Sequence, residues 1–156
     1  MPQHLYEFGG QGSILHLAVA NGFPPQTYRP LLAPLTDAYR VVSLPPRPLW
    51  PDAPPPHSLR SWRDMADDLL AGLRAYHFGQ VIAVGHSFGG IASLVAAACD
   101  PQRFRALILL DPTIFEPPAM FALGLMKLFG LQTRMPLVRG ALNRRARFAS
   151  LDEAYA

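Results

Sequence analysis

Ser87 lies in the pentapeptide Gly85-His86-Ser87-Phe88-Gly89, between the β-branched run Val81-Ile82-Ala83-Val84 and an Ala- and Leu-rich segment that runs from Ile91 to Cys99 and stops at Asp100-Pro101. A short continuous apolar run reads as a buried parallel strand, and the following segment reads as a buried helix. A serine on the tight turn between them is a nucleophile elbow, and its chemistry is covalent attack on a carbonyl. The turn forces the serine backbone into a strained region of φ/ψ space and brings neighbouring segments close together, so Gly85 and Gly89 must lack a Cβ. The helix start that follows supplies amide groups and a positive dipole end beside the hydroxyl.

A second motif, Asn21-Gly22-Phe23-Pro24, follows the apolar segment Ile14-Leu15-His16-Leu17-Ala18 and precedes the helical spacing of Tyr28, Leu31, Leu32 and Leu35. In a serine hydrolase built around such an elbow, one oxyanion donor is the amide after the nucleophile and the other comes from such a strand-to-helix loop. Phe88 is the candidate for the first donor and Phe23 for the second, with Asn21 and Gly22 shaping the loop.

The order strand, N-G-F-P loop, helix, strand, helix, strand, G-H-S-F-G, helix, strand resembles the α/β-hydrolase superfamily in its serine-nucleophile branch, over residues 3 to about 115. The resemblance implies an α/β fold: a mostly parallel sheet with flanking helices, broken off after the sixth strand, with the beginning of a helical cap. The usual family loop is H-G-x-P, so Asn21 stands in place of a histidine. Because the donor is a backbone amide, this need not remove the oxyanion hole, but it changes how the loop is pinned. The resemblance also implies a triad in the order serine, acid, histidine. No histidine follows Ser87: His4, His16, His57, His77 and His86 all precede or adjoin it. His86 reads as a packing and hydrogen-bonding residue, because neighbours in an elbow point to opposite sides. His16 reads as a satisfied core histidine. Asp111, at the end of the strand Ala106–Leu110, is a subordinate candidate for the acid, since most members carry theirs one strand later. The expectation is that the histidine, and with it the acid, lies beyond residue 156, in a missing C-terminal half of the same fold. Serine at the elbow argues against the dehalogenase and epoxide-hydrolase branches, which use aspartate.

The elements that must position these groups read as follows. Gln3–Phe8 is an edge strand, and Gly9, Gly10 and Gly12 turn the chain into the strand Ile14–Ala18. A helix over about 27–37 leads to the strand Arg40–Leu44, and the prolines between Pro45 and Pro56 form a stiff loop. Ser61 and Asp64 cap a helix whose Met65, Ala66, Leu69, Leu70 and Leu73 keep the spacing of one buried face, with Asp64, Asp67, Asp68 and Arg74 on its wet side and Gly79 at its end. Residues 1–112 thus form the N-terminal part of the core and residues 113–156 the start of a cap insertion. Met120, Phe121, Leu125, Met126 and Phe129 would suit a hydrophobic acyl or alkyl group there, unless they simply pack on the core or cover a partner surface. Ser150-Leu151-Asp152-Glu153 is a capping box that announces a further helix.

The chain has 156 residues and a formal net charge of +3. The excess is local, because residues 127–156 hold six basic side chains against two acidic ones. A solvated face explains Arg139, Arg144, Arg145 and Arg147 better than phosphate or nucleic-acid binding. The single cysteine, Cys99, sits in a helix read as buried; it excludes an internal disulfide and fits a reducing, cytoplasmic setting. No apolar run reaches the ~20 residues of a membrane span, and no metal-ligand spacing or Gly-rich phosphate loop calls for a cofactor. The reading is a serine hydrolase of esterase or lipase type acting on a small molecule with an ester-like carbonyl and a hydrophobic group. The alternative is an inactive module on the same fold, kept for binding.

Overall fold

The computed structural model describes residues 4–55, 58–131, 134, 138–140, 143, 149–150 and 152–153. It divides into two compact units, residues 1–114 and 115–156. His57, Arg144, Arg145 and Arg147, singled out in the sequence, lie outside the described residues.

The first unit is a five-stranded sheet in the order β1-β3-β2-β4-β5. Its strands are β1 (Tyr6–Gly9), β2 (Ile14–Ala18), β3 (Arg40–Ser43), β4 (Val81–His86) and β5 (Phe104–Leu110). β1 runs antiparallel to β3, and the other three pairings are parallel. The expected six strands are five among the described residues, because the glycine turn at Gly9–Gly12 leads from a single N-terminal strand directly into β2.

Both faces of the sheet are covered, as parallel strands require. Side chains alternate between faces with period two, so adjacent residues of β3 serve different cores. Val42 joins Leu44, Ala66, Leu69, Leu70, Leu73, Phe78, Val81 and Ala96 on one side. Val41 joins Phe8, Leu15, Leu17, Val19, Tyr28, Leu32 and Val84 on the other.

The helix expected over 27–37 is instead a 3-10 turn Pro25–Tyr28, a single α-turn α1 (Arg29–Leu32) and a second 3-10 turn Ala33–Asp37. Pro30 and Pro34 each lack the N–H that a continuous ladder would use, so the segment breaks into pieces. By contrast, α2 (Trp62–Ala75) begins at the expected capping box, in which Asp64 accepts from the N–H groups of Arg60 and Ser61. Those two donors hold its carboxyl below the usual carboxylate range.

Two features of α2 differ from the sequence expectation. Asp68 is on no wet face: it accepts from Arg47 Nε and Nη2, both at 2.7 Å, and each side chain is under 20% exposed. This bidentate pair ties the proline loop to the helix, and Trp50 Nε1 donates to the Pro45 carbonyl at 2.8 Å within the same loop. The helix also ends before Gly79. His77 takes the left-handed conformation at φ 54°, its N–H donates to the Arg74 carbonyl, and the Phe78 N–H donates to the Leu73 carbonyl. Those two bonds form a Schellman ending, with Phe78 and Leu73 in apolar contact behind it.

After β4 comes α3 (Phe88–Cys99). Its C-terminal Cys99 is exposed, contrary to the expectation of burial, as is Ala98 beside it, while Ala96 one turn earlier is buried. β5 is also more open than its apolar run suggests: none of its residues is buried and Ile108 is 46% exposed, since it forms one edge of the sheet.

The second unit contains α4 (Pro117–Leu128), which exposes Met120, Phe121, Leu125 and Leu128. At Ser150 and Glu153 the serine half of the expected capping box is present, with the Glu153 N–H donating to Ser150 Oγ at 3.1 Å, while the Glu153 carboxylate accepts from the Ala149 N–H, one residue before the cap.

Candidate functional site

Ser87 follows the last residue of β4 and caps α3 with φ 50° and ψ −114°. L-residues with a Cβ avoid positive φ, so this conformation exists only because the surroundings impose it. The Ser87 N–H donates to the Leu110 carbonyl at 2.9 Å, and the Ser87 carbonyl accepts from Gly90, at 3.0 Å, and from Ile91. The strain is thus held by β5 on one side and by the first turn of α3 on the other.

The glycines explain why the turn closes so tightly. A Cβ on Gly85 would stand 2.6 Å from the Gly90 Cα, and one on Gly89 would stand 2.2 Å from the Ala18 carbonyl oxygen. The sequence motif identified both positions. It missed Gly90, where a Cβ would stand 3.1 Å from both the Gly85 oxygen and Pro112 Cβ; only its place one residue past the motif could have pointed to it.

The Ser87 hydroxyl lies 3.2 Å from Thr113 Oγ1, and the Thr113 N–H reaches the Ser87 carbonyl at 3.4 Å. Thr113 is a site neighbour that spacing alone did not reveal. The Phe88 amide, at the first position of α3, has no partner among the described residues, as expected of an orphan N–H at a helix start. The structure therefore leaves a helix-terminal donor beside the nucleophile.

The loop after β2 is a tight turn over Ala20–Phe23. Gly22 has φ 80°, the value that the third residue of a type II turn requires, and the Phe23 N–H donates to the Ala20 carbonyl at 3.2 Å. The Phe23 amide is therefore engaged within its own turn, while its side chain is exposed along with Asn21 and Gly22. Downstream, Thr27 Oγ1 and the Thr27 N–H both donate to the Pro24 carbonyl.

Among the described residues, no histidine hydrogen-bonds the Ser87 hydroxyl. His86 Nδ1 is 2.7 Å from the Tyr28 hydroxyl, which also accepts from the Ala20 N–H at 3.0 Å. His16 is 1% exposed; its Nε2 accepts from the Leu44 N–H at 3.1 Å, and burial lowers its pKa to about 4. Its Nδ1 is buried with no partner among the described residues, so the expected satisfied core histidine is satisfied at one nitrogen only. Asp111 is exposed at φ 44° and makes no ion pair among the described residues.

A cavity of about 30 Å3 adjoins the elbow, with Ala18, Val19, Met65, Phe88, Gly89 and Ala92 in its largely apolar wall. No cluster of three or more metal-ligating side chains occurs among the described residues, and none of their helices is long and apolar enough to cross a membrane.

The alpha/beta hydrolase family matches residues 13–156. A lipase of Mycobacterium tuberculosis is 50% identical over 36 residues, which are 23% of this chain and 14% of that protein. Among solved structures, an N-formylmaleamic acid deformylase of Pseudomonas putida S16 is 33% identical with a TM-score of 0.59, over 70% of this chain and 42% of that one. An epoxide hydrolase of Vigna radiata reaches a TM-score of 0.69 at 22% identity, over 86% of this chain and 44% of that one, a likeness of fold alone. The chain thus spans less than half the length of each.

Proposed function

Because the chain belongs to the alpha/beta hydrolase family, we propose that it serves a serine hydrolase of esterase or lipase type, with Ser87 as nucleophile toward an ester-like carbonyl. The observation that carries the reading is the backbone of Ser87, at φ 50° and ψ −114° on the first turn of α3. That strained conformation lifts the hydroxyl above the strand end and sets an unpartnered amide beside it.

In this reaction Ser87 Oγ attacks the carbonyl carbon and its proton passes to a general base. The resulting oxyanion accepts from the Phe88 N–H and from the Phe23 N–H, whose long bond to the Ala20 carbonyl becomes shared between two acceptors. Collapse of the intermediate expels the leaving group with that proton. Water then releases the acyl group from Ser87. None of the described histidines hydrogen-bonds Ser87, so the reading takes its general base, and the acid with it, from residues other than these. Asp111 remains the subordinate candidate for the acid within the chain. The exposed apolar side chains of α4 support the assignment of residues 113–156 to a cap segment that selects a hydrophobic group on the substrate.

Labelling by a serine-directed fluorophosphonate, read by mass spectrometry, tests the reading. In protein that includes the general base, Ser87 is expected to carry the label, and Ser87→Ala is expected to abolish it. Undiminished labelling of Ser87→Ala overturns the assignment. A wild-type protein that takes no label favours the inactive binding module instead.

A further inference from the structure

We propose that Tyr28 is a positioning residue of the oxyanion loop, acting as a strut that ties the Ala20–Phe23 turn to the residue before the nucleophile. The inference rests on the serine-hydrolase reading above and concerns how its second oxyanion donor is held in place.

Three contacts define the strut. The Ala20 N–H donates to Tyr28 Oη at 3.0 Å, the hydroxyl meets His86 Nδ1 at 2.7 Å, and the Tyr28 and His86 rings stand edge to face with centroids 5.8 Å apart. Tyr28 is buried, at 9% exposure, so these bonds are screened from water. They join the base of the N-G-F-P turn and the segment that follows it, eight residues on, to the end of β4 beside Ser87, 58 residues further along the chain. Because the hydroxyl accepts the Ala20 hydrogen, its own hydrogen is available to the imidazole nitrogen.

The need for such a strut follows from the loop itself. Asn21, Gly22, Phe23 and Pro24 are all exposed and bury no side chain to anchor them. Within the turn, the Phe23 N–H closes onto Ala20 and the Thr27 side chain onto Pro24, so the loop is internally braced but needs a fixed point outside itself. Asn21 occupies the place of the histidine expected from the family pattern, so the anchor falls to another residue. Tyr28 and His86 supply it. An oxyanion donor works over only a few tenths of an ångström, so a turn that drifts loses transition-state stabilisation without losing substrate binding.

The test compares Tyr28→Phe, which keeps the ring and removes the hydroxyl, with His86→Leu and His86→Asn, whose amide can again meet the Tyr28 hydroxyl. Amide hydrogen exchange at Ala20 reads the tether directly, and kcat and KM on p-nitrophenyl acetate, measured in protein that includes the general base, read its consequence. Tyr28→Phe and His86→Leu are expected to speed exchange at Ala20 by about tenfold or more. Both are expected to lower kcat by roughly 10- to 100-fold with KM within about threefold, and His86→Asn is expected to recover most of the loss. Unchanged exchange at Ala20 in Tyr28→Phe overturns the strut, and so does a loss that falls on KM rather than kcat. Faster exchange in a protein whose wild type neither turns over the ester nor takes the fluorophosphonate label overturns the hydrolase reading while supporting the tether.

Discussion

At Ser87 the backbone is in a conformation that costs an L-residue roughly 1–3 kcal/mol, and nothing but the tertiary structure keeps it there. Glycine adopts positive φ without that cost, so Ser87→Gly is expected to raise stability by about 1 kcal/mol while removing the nucleophile. Equilibrium urea unfolding of the two proteins checks this, and equal midpoints would refute it. At this scale the sequence was legible where chemistry leaves a local pattern: Gly85, Ser87 and Gly89 lie in five consecutive residues, and each has the geometry that the motif requires. It was not legible for Tyr28 and Thr113. Tyr28 reads as one more residue at helical spacing, and Thr113 as the first residue of the cap insertion, because their partners are 58 and 26 residues away. Side-chain bonds across such separations leave no periodic trace.

Among the elements, β2 and β3 are joined by more than their ladder: His16 on β2 accepts from the Leu44 N–H just past the end of β3. His16 must be neutral to do so. Its pKa is about 4 in the folded state against an ordinary value of 6.5, so between those values the unfolded chain binds the extra proton. Stability from this group is therefore fully present above about pH 6.5, falls as pH drops toward 4, and amounts to on the order of 3 kcal/mol. Thermal unfolding followed from pH 7 to 4 is expected to show that decline, and His16→Gln to flatten it; an unaltered slope in His16→Gln would assign the acid sensitivity elsewhere. The strands themselves were readable from their β-branched runs. The segment 25–37 was not, because leucine spacing suggests a continuous helix while Pro30 and Pro34 interrupt the hydrogen bonds that would make one. Asp68 was misplaced for a related reason: helical periodicity puts it on the wet side, and Arg47, from a loop with no periodicity of its own, covers it.

For the first unit as a whole, the sheet ends in β5, whose outer edge has no partner strand among the described residues and whose Ile108 is 46% exposed. An unpaired apolar edge is a template for another strand. The 156-residue polypeptide is therefore expected to associate with itself as concentration rises, and Ile108→Lys to reduce that association. Sedimentation velocity across a concentration series checks this, and a monomer at every concentration would refute it. The sequence located β5 over Ala106–Leu110, two residues short of its observed start, but an apolar strand looks the same in the middle of a sheet as at its edge. One contact deeper in the sheet bears on how the protein is made. The elbow closes only where α3 lies against the Ala18 carbonyl at the end of β2, close enough to exclude a methyl group at Gly89. Residues 18 and 89 meet only after β2 and β4 have paired, so a nascent or half-denatured chain presents Ser87 as an ordinary hydroxyl. Its reactive geometry is a property of the completed fold alone.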